Sequence, residues 1–150
     1  MITSHQITRS TTVSDRVKAK IEKISAFEIA NILNDGYKKR MDKSQNVDGS
    51  AMRPLKPETI AAKRAAGGIS PTKPLIFTGE LKSAGELSGD RTEAVLSIRD
   101  AQKTGYDGKP TGMTNIGVLK SQKNKGRNPF GFSKLIDLPS IAKYIKNIFK

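Results

Sequence analysis

Residues 25–42, SAFEIANILNDGYKKRMD, carry the pattern that decides the fold class. An apolar stripe in this stretch follows the helical spacings of three and four residues: Ala26, Ile29, Ala30, Leu33 and Tyr37. Ser25 and Glu28 form a capping box, in which each side chain accepts a hydrogen bond from a backbone amide at a helix start. The stretch therefore predicts an amphipathic helix over 26–42. Helical spacing from Ser14 onward leaves two alternatives open, namely one long helix bent near Ser25 or two helices in succession.

The rest of the chain predicts two more helices and a small sheet. Pro57 suits the first turn of a helix over 57–66, because its missing amide proton costs nothing there. Lys63 suits the other end of this helix, where the helix dipole is negative. Alternation over 92–99 predicts a strand, with 113–119 as its candidate partner. Residues 43–56, 100–112 and 120–128 are predicted loops, and the last of these is basic. Asp137 as the cap and Pro139 in the first turn predict the start of a last amphipathic helix. Its apolar stripe should be buried against the sheet or a neighbouring subunit.

These elements predict the α+β class within a single domain over 1–150. The expected order is an N-terminal helix or helix pair, a short middle helix, a small antiparallel sheet with long loops, and a C-terminal amphipathic helix. Residues 1–13 are polar and are expected to form a flexible arm or an edge strand.

Composition narrows the function classes. The 150 residues carry a net charge of +13, with a sequence pI of about 10.1. Such a charge favours nucleic acid or an acidic protein surface as partner, and a plain solvated lysine surface is the third interpretation. The chain has no cysteine, which excludes disulfides and thiolate metal sites. No apolar run is long enough to span a membrane and no secretory signal pattern is present, so we expect a protein made in the cytosol without a membrane partner.

The sequence offers no convincing catalytic constellation. His5 is the single histidine and lies in the polar N-terminal stretch, where a surface role is expected. A Ser-His-Asp triad or a histidine-based zinc site would need partners that the sequence does not identify. The acidic residues are scattered and form no pair in an apolar setting that would suit acid–base work. We therefore expect no enzymatic activity, no cofactor, no metal and no small-molecule substrate.

One stretch is more specific than composition. Residues 48–83 read DGSAMRPLKPETIAAKRAAGGISPTKPLIFTGELKS, and they follow a long predicted helix. The stretch contains, in order, an acidic-glycine turn, a P-L-x-P-x-T segment, a basic short helix and an apolar run that ends in T-G-x-L-x-x-S. This order resembles the phage virion morphogenesis family, the tail completion proteins of Mu-like and related tailed phages. The matching motif residues are Pro54, Leu55, Pro57, Thr59, Phe77, Thr78, Gly79, Leu81 and Ser83. A second similarity lies before the last helix, where Arg127, Pro129 and Phe130 match an R-x-P-F segment.

The resemblance implies a structural role in the virion, at the neck where head and tail join. It implies self-assembly into a ring, with six subunits expected, and contacts with neighbouring neck, tail terminator or tail tube proteins. The predicted basic loop would then face DNA in the channel or an acidic partner through Lys120, Lys123, Lys125 and Arg127. The alternative, from the charge alone, is a nucleic-acid-binding protein that contacts DNA phosphates non-specifically.

Each motif residue also has a simpler interpretation. Leu55, Phe77, Leu81 and Phe130 suit core packing as well as partner contacts. Thr78 and Gly79 suit a turn, and the lysines suit a solvated surface.

Overall fold

The computed structural model describes residues 15–104 and 109–150. His5 and the predicted arm over 1–13 lie outside these ranges. A first helix, α1, covers residues 15–21. The other elements follow in this order: α2 Ala26–Lys43, α3 Pro57–Ala65, a 3₁₀ turn Lys82–Ala84, β1 Gly85–Gly89, β2 Ala94–Ile98, β3 Gln102–Thr104, β4 Pro110–Thr114, α4 Asn115–Lys123 and α5 Asp137–Phe149. The α+β class is confirmed, and the N-terminal helices are two in succession.

Helix α2 is the central element, and its start departs from the predicted capping box. Ser25 Oγ accepts a hydrogen bond from the Glu28 amide at 3.4 Å, as predicted. The Ser25 amide, however, donates to the Tyr144 hydroxyl of α5 at 2.9 Å, where the box would place the Glu28 carboxylate. The prediction of a reciprocal box is therefore wrong in its second half, because a long-range contact takes that donor.

The buried core lies where α2 meets the segment around the 3₁₀ turn and the end of β2. Its buried members are Tyr37, Met41, Ile76, Leu81, Ala84 and Ile98. The Tyr37 hydroxyl donates a hydrogen bond to the Leu81 carbonyl, and its ring meets that of Phe130 edge-on, with centroids 5.6 Å apart. Leu81 is thus a core residue and Phe130 packs against the core, as their simpler interpretation predicts.

The strands form two separate hairpins. Strand β2 confirms the strand predicted over 92–99, but its predicted partner is wrong: β2 pairs with β1, Leu96 opposite Leu87. Strand β3 pairs with β4, which begins inside the predicted loop 100–112, so the prediction of a loop there is also wrong. Residues 115–119 are helical because Thr114 Oγ1 caps α4 by accepting from the Gly117 amide at 3.2 Å.

Helix α5 packs against α2. It begins one residue earlier than a capping role for Asp137 requires: Ile136 is the cap position and Asp137 is the first helical residue. The prediction of Asp137 as the cap is wrong, because its carboxylate is directed into the protein. The basic stretch 120–128 is likewise only partly a loop, since Lys120 and Lys123 lie in α4.

Candidate functional site

A buried ion pair ties the last helix to α2. Arg40 Nη1 donates to both carboxylate oxygens of Asp137 at 2.9 Å, and both side chains are fully buried. Arg40 also donates from Nε to the Pro129 carbonyl and from Nη2 to the Gly131 carbonyl, each at 2.7 Å. The Asp137 carboxylate accepts further from the Ser133 amide at 2.8 Å. The Pro129–Phe130 motif therefore serves as an anchor for the chain before α5.

Gly36 makes this anchor sterically feasible. It lies in the middle of α2, where glycine usually weakens a helix. A Cβ at this position would lie 1.8 Å from Asp137 Oδ1 and 3.1 Å from Arg40 Nη1. The carboxylate therefore occupies the space that any other residue type at 36 would fill. A glycine inside a helical stripe was the one sequence signal of this close approach.

A second cation, Lys63, holds the proline-rich loop. This residue of α3 is only 4% exposed. Its Nζ donates to the carbonyls of Ser70 at 3.3 Å, Lys73 at 2.7 Å and Ile76. Burial, and then the nearby charge of Arg127, lower the pKa of the Lys63 ammonium. Lys63 thus fixes the segment 70–76 instead of serving as a solvated charge at the helix end.

A third cation, Arg127, ties together two chain segments distant in sequence. Its guanidinium donates to the carbonyls of Arg53 at 2.8 Å and Pro54 at 2.9 Å, and to Gln122 Oε1 at 2.7 Å. Burial, and then the charge of Arg53, lower the pKa of Arg127. Arg127 therefore has few donors left for a partner, and its predicted contact with DNA or an acidic protein stays a prediction.

These fixed segments border a groove of about 830 Å³. Its walls come from four parts of the chain: residues 53–63, residues 75–81, the β3–β4 hairpin and residues 118–127. Seven of the predicted motif residues line it: Pro54, Leu55, Thr59, Phe77, Thr78, Gly79 and Leu81. Sequence order alone separates them by up to 27 positions, and the fold brings them into one surface.

The other predicted site residues lie elsewhere. Pro57 starts α3 and Ser83 lies in the 3₁₀ turn, where its hydroxyl donates to the Glu80 carbonyl at 3.1 Å. Of the predicted basic residues, Lys125 and Arg127 line the groove, while Lys120 and Lys123 do not. The sequence did not indicate four further lining residues: Arg53, Lys56, Met113 and Val118. No local signal could have identified them, because they belong to the groove only through tertiary contacts.

The groove is strongly asymmetric in charge. Among the residues that the structure describes, one acid lines it, Glu80, and the lining cations are Arg53, Lys56, Lys63, Lys103, Lys125 and Arg127. Glu80 is already paired with Lys103 Nζ at 2.9 Å. The hydrogen bond and the charge of Lys103 lower the pKa of the Glu80 carboxyl. The groove therefore offers positive charge in excess around an apolar floor.

This arrangement offers an apolar surface and positive charge to a binding partner. Within residues 15–104 and 109–150, no group of His, Cys, Asp and Glu side chains is placed to hold a metal ion. The helices in these ranges also include none that is both long and apolar enough to cross a membrane. Comparison with family models, with curated proteins and with solved structures gives no match for this chain.

Proposed function

We propose that this chain is a structural protein of a tailed-phage virion, located at the neck, where it completes the tail and joins it to the head as part of an oligomeric ring. The observation that carries the proposal is the uncovered apolar surface of the C-terminal region. Phe132, Leu135, Leu138 and Phe149 are 47%, 69%, 49% and 41% exposed. Contiguous exposed apolar patches mark interaction surfaces, and we propose that these four side chains belong to such a surface.

The magnitude of this surface bears on how a ring would form. Full burial of a large apolar side chain contributes about 1.5–3 kcal/mol, and these four are already about half buried. Their remaining gain is therefore about 3–6 kcal/mol, against an association cost of about 4–15 kcal/mol. Self-association through this surface alone is marginal. A ring that forms on a neighbouring tail or neck protein, which adds contact area of its own, fits these numbers better than a ring that forms unaided.

Loss of the protein from phage particles tests the proposal. Electron micrographs of particles made without this chain should show separate heads and tails, and adding the purified protein back should restore joining. Light scattering after size exclusion should show ring-sized oligomers, either alone or on addition of tail proteins. Particles that are normally joined without the chain would refute the proposed function.

The net charge of +13 favours a second candidate, a protein that binds nucleic acid phosphates non-specifically. Against it, the cations are distributed over the chain instead of on one recognition helix. A strict monomer that binds duplex DNA tightly, with affinity falling steeply as salt rises, would favour this candidate over the assembly role.

A further inference from the structure

The groove has the chemistry of a docking site for another protein. Its floor is apolar and includes Leu55, Phe77, Met113 and Val118, with Met113 42% exposed. We propose that it binds an acidic segment with large apolar side chains, supplied by another protein of the same particle. This inference rests on the proposed function and gives the chemistry of the partner.

The cations at the edge of the groove carry the argument. Arg53, Lys56 and Lys125 are exposed, and their side chains form no hydrogen bond or ion pair with other residues in the described ranges. Among the described lining residues the one carboxylate, Glu80, is already paired with Lys103. The part of the groove that the structure describes therefore presents three available positive charges and no available negative charge. A bound segment that carries carboxylates next to its apolar side chains would complement both features.

The groove walls are held in place before any partner arrives. Arg127 fixes the backbone of Arg53 and Pro54, and Lys63 fixes the loop that leads to Phe77. A Cβ at Gly68 would lie 2.7 Å from Phe77 Cδ2, so the glycine lets this ring pack closely on the end of α3. A preorganised site loses less conformational entropy on binding, which favours recognition of a flexible segment.

Charge argues against a second copy of this chain as the occupant. The most amphipathic element, α5, has Lys143 and Lys146 on its polar face, and these would approach the cations of the groove. Like charges placed opposite each other at an interface cost affinity. The chain as a whole carries +13, so a partner of opposite charge fits better than a copy.

Nucleic acid is the less favoured occupant. Phosphates would satisfy Arg53, Lys56 and Lys125, but they would leave the apolar floor without a complement. Among the lining residues in 15–104 and 109–150, Phe77 is the sole aromatic side chain, whereas single-strand binding relies on several stacking platforms. An acidic protein segment uses both the floor and the rim.

The test uses the full-length protein and short overlapping fluorescent peptides that tile the other virion proteins of the phage. Binding is measured by anisotropy. We expect the binding peptides to be acidic and to contain large apolar residues. Replacing their Glu and Asp by Gln and Asn, or their apolar residues by Ser, should each weaken binding by about tenfold or more. Met113→Ser should weaken it as well, since Met113 is exposed in the groove.

Two triple variants distinguish the effect of the groove cations on binding from the effect of the net charge of the protein. The groove variant is Arg53→Glu, Lys56→Glu and Lys125→Glu. The control is Lys134→Glu, Lys143→Glu and Lys146→Glu, which changes exposed lysines outside the groove and lowers the net charge of +13 equally. We expect the groove variant to lose about ten- to hundredfold in affinity while the control stays within about twofold. Circular dichroism confirms that both variants fold.

Three outcomes would overturn the inference: no tiled peptide binds, the two triple variants weaken binding equally, or an oligonucleotide displaces every bound peptide and itself depends on the groove cations. Failure of the inference is distinguishable from failure of the proposed function. Head–tail joining that needs the protein but tolerates the groove variant would refute only the groove assignment. Joining that needs no protein at all would refute the proposed function itself.

Discussion

Replacing Gly36 by alanine should destabilise the protein, although the same change in a helix interior ordinarily stabilises it. Alanine in place of glycine favours a helix by about 0.5–1 kcal/mol. At Gly36, the new Cβ would lie 1.8 Å from Asp137 Oδ1, so the carboxylate must move away from Arg40. Breaking a buried ion pair costs about 3–5 kcal/mol, because an unpaired charge stays buried. The net loss should be about 2–4 kcal/mol.

The matched control is Gly117→Ala in α4. A Cβ at Gly117 would meet Thr114 Oγ1 at 3.5 Å, which is an ordinary contact. This variant should gain up to about 1 kcal/mol. Urea unfolding followed by far-ultraviolet circular dichroism gives both free energies, and the chain has no tryptophan to serve as a fluorescence probe. A melting temperature lower by about 4–16 °C should accompany Gly36→Ala.

The same substitution in a protein that lacks the ion pair tests whether the ion pair causes the destabilisation. With Arg40→Met and Asp137→Ala already in place, no ion pair remains to be broken, and Gly36→Ala should become stabilising like Gly117→Ala. If Gly36→Ala stabilises the unmodified protein, or destabilises both backgrounds equally, the reasoning from the ion pair is wrong.

Three further predictions concern the buried cation, the buried tyrosine and the exposed apolar surface. Lys63→Met leaves the three carbonyls that Lys63 holds without their donor, so the free energy of unfolding should fall by about 1.5–3 kcal/mol. Limited proteolysis should also cut faster within residues 70–76, and unchanged cleavage would contradict the anchoring role of Lys63. Burial raises the pKa of Tyr37 above its usual value of 10.0, so the folded state keeps a proton that the unfolded state releases, and stability should fall as pH rises above 10. Tyr37→Phe should flatten this alkaline fall in pH-dependent urea unfolding, and an equal fall in both proteins would assign it to other groups. The double variant Leu135→Ser with Leu138→Ser should keep the fold. It should abolish the ring-sized particles that the unmodified protein forms, alone or with tail proteins, in light scattering. An unchanged particle size would exclude this surface from the ring.

Local sequence determined the elements whose energetics are local. The apolar stripe and the Ser25 cap define α2. Pro57 marks the start of α3, and Gly67 and Gly68 follow its end. The alternation of apolar and polar residues defines β2. In each case, the interactions that favour the element lie within a few residues of one another, so the pattern is visible in the sequence. Where the sequence interpretation failed, at residues 113–119, the Thr114 cap outweighed a weak alternation interrupted by Gly117.

Tertiary structure alone decided what the charged residues do. Asp137 looked like a helix cap and Lys63 like a charge at a helix end. Each instead forms hydrogen bonds with groups several to many positions away, because a buried charge must find compensating polar atoms wherever the fold brings them. Arg127, whose partner contact stays a prediction, also donates to the distant carbonyls of Arg53 and Pro54. The groove is equally invisible in sequence, since four separate stretches form it. The sequence therefore determined α1, α2, α3, α5, strand β2 and the net charge, while long-range packing determined which charges are buried and which remain available to a partner.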